Sequence, residues 1–410
     1  MTRDWKRARL GDISSIDYGY TAKASFEEIG PKFLRITDLQ NGSVDWSEVP
    51  SCEISDGDLS KHKLLDQDIV FARTGATTGK SYLVSEPPAA IAASYLIRLR
   101  LNAPKISAKY VSLYFQTDEY WSLISAGISG SAQGGFNASK LADVSLPVPP
   151  LAEQKRIVAI LDEAFAGIAA ATANAEKNLA NARELFENYV DSVFLQQSES
   201  WIEKPLGSIG GDVFTGPFGS LLHKADYVTG GTPLVNPAHI IDGKIIPDTE
   251  KTIDLAALER LQNYRLKAGD VVIGRRGEIG RCAVVTARED GWLCGTGCFY
   301  IRVFEDTNPH FLAALLRSKH YRQKLEVHST GATMLNLSNT TLSEFKIRVP
   351  PLAEQNNLMK AMEGLSTQIE LLEIVYQKKL SALADLKQAI LQKAFSGELT
   401  GIKTRHCEAA

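Results

Sequence analysis

A chain of 410 residues with 44% hydrophobic and 23% charged side chains has the make-up of a folded soluble protein, and its length allows two or three domains with a real core. The net charge of −3 argues against a lone, strongly basic nucleic-acid binder: Lys+Arg against Asp+Glu stand at 16 to 17 over residues 1–150 and 18 to 16 over 201–349. Any phosphate binding must therefore come from local patches or from a partner, and with no run approaching a membrane span and no apolar signal-peptide core after Met1, a cytoplasmic protein is expected.

The five cysteines, Cys52, Cys282, Cys294, Cys298 and Cys407, are odd in number and scattered, so no disulfides are expected. Cys294 and Cys298 form the one close pair, but no second pair or His cluster accompanies them, and no metal site is expected.

Residues 1–148 read as a compact mixed domain of short strands and turns, opened by Leu10-Gly11-Asp12-Ile13. Asn41-Gly42 is a hairpin-type turn between apolar runs. Asp68-Ile69-Val70-Phe71-Ala72-Arg73 reads as a buried strand leading into the loop Thr74-Gly75-Ala76-Thr77-Thr78-Gly79-Lys80. A helix is expected over 107–123, followed by a flexible Gly/Ser-rich stretch, 127–135.

At 149 the chain reaches the stretch that organises it. Pro149-Pro150-Leu151-Ala152-Glu153-Gln154 recurs unchanged as Pro350-Pro351-Leu352-Ala353-Glu354-Gln355, 201 residues later. The prolines force extended backbone, and each copy opens a long helical pattern with the four-three steps of a coiled-coil seam. The first seam runs through Ile157, Leu161, Ile168, Ala175, Leu179 and Tyr189, the second through Leu358, Met362, Ile369, Tyr376, Leu380 and Ile390; at the position of Phe186 the copy has Lys387. Both contain the same stutter of two successive fours, Ala171-Ala175-Leu179 and Leu372-Tyr376-Leu380. Two helices with one seam and one shared defect are read as antiparallel partners, each about 65 Å long at about 1.5 Å per residue.

Residues 201–349 repeat the first globule. Leu206-Gly207-Ser208-Ile209 matches Leu10 to Ile13, Ile240-Ile241-Asp242-Gly243 matches Leu39 to Gly42, and Gly269 to Arg275 matches Gln67 to Arg73. A helix is again expected over 309–325. The expected fold is α+β: globule 1–148, helix 149–200, globule 201–349, then helix and tail 350–410, an internal duplication with a pseudo-twofold axis.

The loop after Arg73 is one residue short of a P-loop, and its copy ends Gly280-Arg281-Cys282, without the lysine and hydroxyl a nucleotide site needs. One reading is a tight glycine turn. The other is a loop whose backbone N–H groups and basic residues meet DNA, through Arg73, Thr74, Gly75 and Lys80 in the first half and Arg275, Arg276, Gly277 and Arg281 in the second. Arg35, Gln40 and His239 have the polar types that read base edges, and Lys61, Lys63 and Lys224 form small basic clusters that are either DNA contacts or solvated surface. Phe214 to Gly219 and Pro247 to Lys251 have a faint likeness to methyl-donor and nuclease motifs but read better as turns, and no catalytic array has its full signature.

On Leu146-Pro147-Val148-Pro149-Pro150-Leu151-Ala152-Glu153-Gln154-Lys155-Arg156-Ile157, its second copy, and the ending Ala394-Phe395-Ser396-Gly397-Glu398-Leu399, the chain closely resembles the specificity subunits of type I restriction-modification systems over almost its whole length. The second copy departs at Asn356-Asn357-Leu358. The resemblance implies two target recognition domains, each reading half of a split double-stranded DNA site through the major groove, with the helices fixing the unread spacing. It implies two methyltransferase subunits docked on the helices and using S-adenosylmethionine, motor-nuclease subunits using ATP and Mg, and no cofactor or catalysis in this chain. A coiled-coil scaffold leaves the duplicated loop arginines unexplained, and a stand-alone NTPase or methyltransferase lacks its motif.

Overall fold

The computed structural model describes residues 5–40, 42–128, 135–196, 198–209, 213–218, 221–329 and 336–400. Asn41, most of the Gly/Ser-rich stretch expected over 127–135, Gly219, Cys407 and the tail from 401 lie outside the described residues. The chain divides into two compact units, Met1–Ala175 with Gln377–Ala410, and Glu176–Tyr376. The boundaries cut both long helices, Leu151–Leu195 and Leu352–Phe395, near their middles.

In the first unit the strands β1 (Ser14–Tyr18), β3 (Ile69–Ala72), β4 (Ser81–Leu83) and β6 (Leu96–Leu101) form an antiparallel sheet in the order β1-β6-β3-β4, while β2 (Lys32–Leu34) and β5 (Ala90–Ala92) pair in parallel. All four residues of β3 are buried because both faces of the sheet are covered. Ile69 and Phe71 enter one apolar cluster, whereas Val70 and Ala72 enter another. The second unit has the same order, β7-β12-β9-β10, in β7 (Val213–Thr215), β9 (Val271–Gly274), β10 (Cys282–Val284) and β12 (Cys298–Ile301), with β8 (Thr232–Val235) parallel to β11 (Leu293–Cys294). Val271 and Ile273 again part from Val272.

A buried carboxylate marks the start of β3 and of β9. Asp68 accepts from Arg100 Nε and Nη2, both at 2.7 Å, and Asp270 from Arg302 Nε and Nη2, both at 3.0 Å. Asp68 also caps the Leu65 N–H and Asp270 the Lys267 N–H, each at 2.8 Å, so the carboxylates fix the turns that aim the two strands.

The repeated Pro-Pro-Leu-Ala-Glu-Gln has a structural reason. Gln154 is wholly buried: its Oε1 accepts from Ser107 N–H at 2.9 Å and its Nε2 donates to the Lys105 and Pro149 carbonyls at 3.0 and 2.8 Å. Gln355 repeats this with Asn308 N–H and the Pro350 carbonyl, at 2.8 and 2.9 Å. Each glutamine thus ties the first turn of a long helix to its globule by satisfying backbone groups that have no regular partner.

Each unit contains half of each long helix, packed antiparallel. In the first, Ile157 and Leu161 share a core with Leu391, Ala394 and Phe395, and the Lys387 ammonium lies 4.9 Å from the Phe165 ring centre. In the second, Phe194, Val193 and Val190 share a core with Leu358 and Met362, and Arg183 Nε meets Glu373 Oε1 at 2.6 Å. Ile168, Leu179, Ile369 and Leu380 are buried or half-buried, as the seam requires.

Four expectations need correction. Residues 107–123 are two helices, Ala108–Tyr114 and Asp118–Ile128, because the Thr117 hydroxyl donates to the Tyr114 carbonyl at 2.7 Å and accepts from Tyr120 N–H at 3.2 Å, closing one helix and capping the next. Residues 309–325 likewise split at the extended Ser318 into Pro309–Arg317 and Lys319–Val327, the second capped by Asp191 Oδ1 2.7 Å from Lys319 N–H. Leu372, expected in the seam, is 40% exposed, since the stutter turns the apolar stripe outward there. Finally, one helix, Leu151–Leu195, is apolar enough over 18 residues to cross a membrane by length and composition alone; the apolarity is mostly alanine, from Ala164 to Ala175.

Candidate nucleic-acid interface

The strand registers bring the leading candidates to one turn in each unit. In the first, Leu34 pairs with Ala92, Ala72 with Leu96 and Tyr18 with Ile97, so Arg35, Arg73 and Tyr18 surround the turn at 93–95. Arg73 donates its backbone N–H to Tyr95 O at 3.1 Å and its Nε to Ser94 O at 3.0 Å, and its guanidinium lies 5.0 Å from the Tyr18 ring centre. Thr74 and Gly75 follow on the same rim, with Thr74 bridged to Gly135. Arg35 is held by Asp38, at 2.7 Å from Nη2 to Oδ1, which fixes its guanidinium beside the 80%-exposed Phe26 ring.

The second unit builds the same rim around residues 295–297. Val235 pairs with Cys294, Gly274 with Cys298 and Thr215 with Phe299, bringing Asn236, Arg275 and Gly216 together. Gly216, like Gly19 in the first unit, has no room for a side chain: a Cβ would stand 2.0 Å from Gly295 O, and at Gly19 2.1 Å from Ala93 O. Arg275 donates its backbone N–H to Gly297 O at 2.9 Å, and its side chain packs between the rings of Phe218 and Phe299 at 4.6 and 5.1 Å. Burial, and then the charge of Arg276, pulls its pKa below the usual arginine value. Arg276 and Gly277 are exposed beside it, and His239 caps the turn Pro237–His239, its Nδ1 2.9 Å from Leu234 O.

Other candidates are elsewhere. Arg73 and Lys80 do not act as one loop: Lys80 lies in a cleft with Trp121, Asp162 and Lys387, against the helices. The expected phosphate-facing loop N–H groups are engaged at that end, Thr78, Gly79 and Lys80 donating to Gly75, Ala72 and Thr77. Gly79 is required by packing, since a Cβ would stand 2.8 Å from the Trp121 ring. Arg281 is paired to Glu278 within its own turn. Gln40 donates to Thr37 O at 2.7 Å in the hairpin turn, where it exchanges backbone hydrogen bonds with Ser43. Lys61 and Lys63 are exposed near the other end of β5, Lys61 3.8 Å from Asp58, and Lys224 is exposed on the turn Lys224–Asp226.

The two rings are not legible in the sequence. Tyr18 precedes the close-packed glycine by one residue and Phe218 follows its counterpart by two, so no alignment of the halves pairs them; an aromatic beside a rim glycine was the only signal. Among the described residues no three His, Cys, Asp or Glu gather to hold a metal. Burial pushes the Cys294 and Cys298 thiols up and Cys282 up to about 12, as core residues.

The family model described as type I restriction modification DNA specificity domain matches twice, over residues 2–179 and 211–380. The EcoBI type I restriction enzyme specificity subunit of Escherichia coli is 23% identical over 97% of this chain and 86% of its own, and the MjaX specificity subunit of Methanocaldococcus jannaschii, named as putative, 24% over 97% and 94%. Among solved structures, a chain from work on complex assembly and conformational transition of the type I R-M system superposes with a TM-score of 0.75 at 18% identity, covering 97% of this chain and all of that one. The HsdS subunit of Thermoanaerobacter tengcongensis does so with a TM-score of 0.60 at 19% identity, over 96% and 97%. At these identities the structural likeness is one of fold.

Proposed function

We propose that this chain, which belongs to the family of type I restriction-modification DNA specificity subunits, reads a split DNA sequence with one unit per half-site and directs chemistry that it does not itself perform. The observation that carries this reading is the repeated rim: an arginine against an aromatic ring, at the same strand end, in two units of one chain. Arginine edges suit the acceptors of guanine in the major groove, and exposed neighbours such as Arg276 suit phosphate. The near-neutral charge fits a subunit whose partners supply much of the backbone grip. In this reading the paired helices set the unread spacer, two methyltransferase subunits carrying S-adenosylmethionine dock on them, and ATP- and Mg-dependent motor-nuclease subunits join in the cytoplasm.

Co-expression with the methyltransferase encoded beside this chain, followed by mapping of N6-methyladenine in host DNA, tests the reading. One split motif, lost when this chain is deleted, is the expected result; a stable complex with no chain-dependent motif sinks it.

Docking on the helices has support in the second unit, where Leu371, Ile374 and Val375 are 59, 51 and 58% exposed on one face of the second long helix. The double substitution Ile374→Glu, Val375→Glu is expected to abolish co-elution with the methyltransferase while leaving helicity by circular dichroism unchanged. Undiminished co-elution would remove this face from the interface.

A further inference from the structure

We propose that Arg275 is a base-reading residue of the second unit, kept dry between two phenylalanines and delivered to a guanine edge when DNA moves Phe218 aside. The inference rests on the DNA-recognition reading and goes beyond it by naming the reader, its cover and the base.

Arg275 is 7% exposed, and its Nη1 is buried with no hydrogen-bond partner among the described residues. Among the described residues a long contact, 3.4 Å, joins its Nε to Asn336 Oδ1, and no carboxylate pairs with it. Arg100, Arg302 and Arg35 all pair with carboxylates, and Arg73 gives its Nε to a carbonyl. An arginine left dry with an idle donor is costly unless an acceptor arrives during function. The two rings suit such a role, because cation–π contact uses the faces of the guanidinium and leaves its hydrogen-bonding edge for the ligand. Phe299 is wholly buried in β12 and serves as a fixed floor, whereas Phe218 is 42% exposed and is the movable cover. Guanine offers O6 and N7 to match the fork of the side chain, which a single phosphate contact does not exploit for sequence. Gly216, Gly295 and Gly297 let backbone segments of the rim approach where a Cβ would clash, so no side chain of theirs stands between Arg275 and the turn.

The test uses the purified complex of this chain with its methyltransferase partner and duplexes carrying the mapped motif. With the parent chain, replacing one guanine of one half-site by 7-deazaguanine, which lacks N7, is expected to weaken binding about tenfold. With Arg275→Lys, which keeps the charge and loses the fork, that replacement has no further effect, and N6-methyladenine mapping shows other bases accepted at that position while the second half-site stays strict. Phe218→Ala removes the cover and keeps the guanine requirement, which separates a reader from a fold defect. Three results overturn the inference: equal weakening on all sequences with unchanged base preference, which marks a phosphate contact; simultaneous loss at both half-sites; or no guanine that couples to Arg275. If the parent chain itself directs no split motif, the specificity-subunit reading fails, and the parent control reports that separately.

Discussion

A complex built on a chain with four residues inserted after Thr172 and four after Leu380 is expected to methylate a motif with unchanged half-sites and a longer unread spacer. The contact of Lys387 with Phe165 sets the local register, and seven residues onward in the first helix and seven backward in the second bring Thr172 opposite Leu380. Matched insertions keep the seam in mutual phase and lengthen each helix by about 6 Å at about 1.5 Å per residue, up to about two base pairs at about 3.4 Å each. An unmatched insertion after Thr172 breaks the pairing and is expected to prevent assembly. Methylome mapping reads both cases, and an unchanged spacer in an intact complex would end the view of the helices as a ruler.

The substitution Gln154→Ala is expected to destabilise the first unit by about 3 kcal/mol or more, measured by urea unfolding of the full chain. It removes three hydrogen bonds at one buried point and leaves the Ser107 N–H and the Lys105 and Pro149 carbonyls without their partner. Each orphaned group costs about 1–3 kcal/mol. Gln355→Ala is expected to act similarly on the second unit, and a transition attributable to one unit shifts in each variant. A change within about 0.5 kcal/mol, the range of surface substitutions, would show that the glutamines are not clamps.

Much of the architecture was legible because the chain states it twice. The matched Pro-Pro-Leu-Ala-Glu-Gln, the matched stutters and the strand before each glycine loop carry long-range information that a single copy lacks. Leu372 escaped because a stutter redirects the stripe, and the helices over 107–123 and 309–325 escaped because one buried hydroxyl, at Thr117 or Ser318, breaks a periodicity that continues across it. The rim was half legible. Arg73 and Arg275 stood at matching strand ends, but the rings over them come from unmatched positions, and the direction of Lys80 is set by packing of Gly79 on Trp121. Local sequence does not encode which side of a turn a lysine leaves by.

The division into units has a consequence for synthesis on the ribosome. The second unit is one continuous segment, Glu176–Tyr376, whereas the first is begun at the N-terminus and closed only by the last helix half. At about 5–20 residues per second, the roughly 200 residues between take about 10–40 s to translate. Throughout that interval Tyr110, Tyr114, Ile157 and Leu161 lack the Leu391, Ala394 and Phe395 that complete their core. The domain made first is therefore the one finished last, and the nascent chain carries an open apolar face for which chaperone binding is the natural protection.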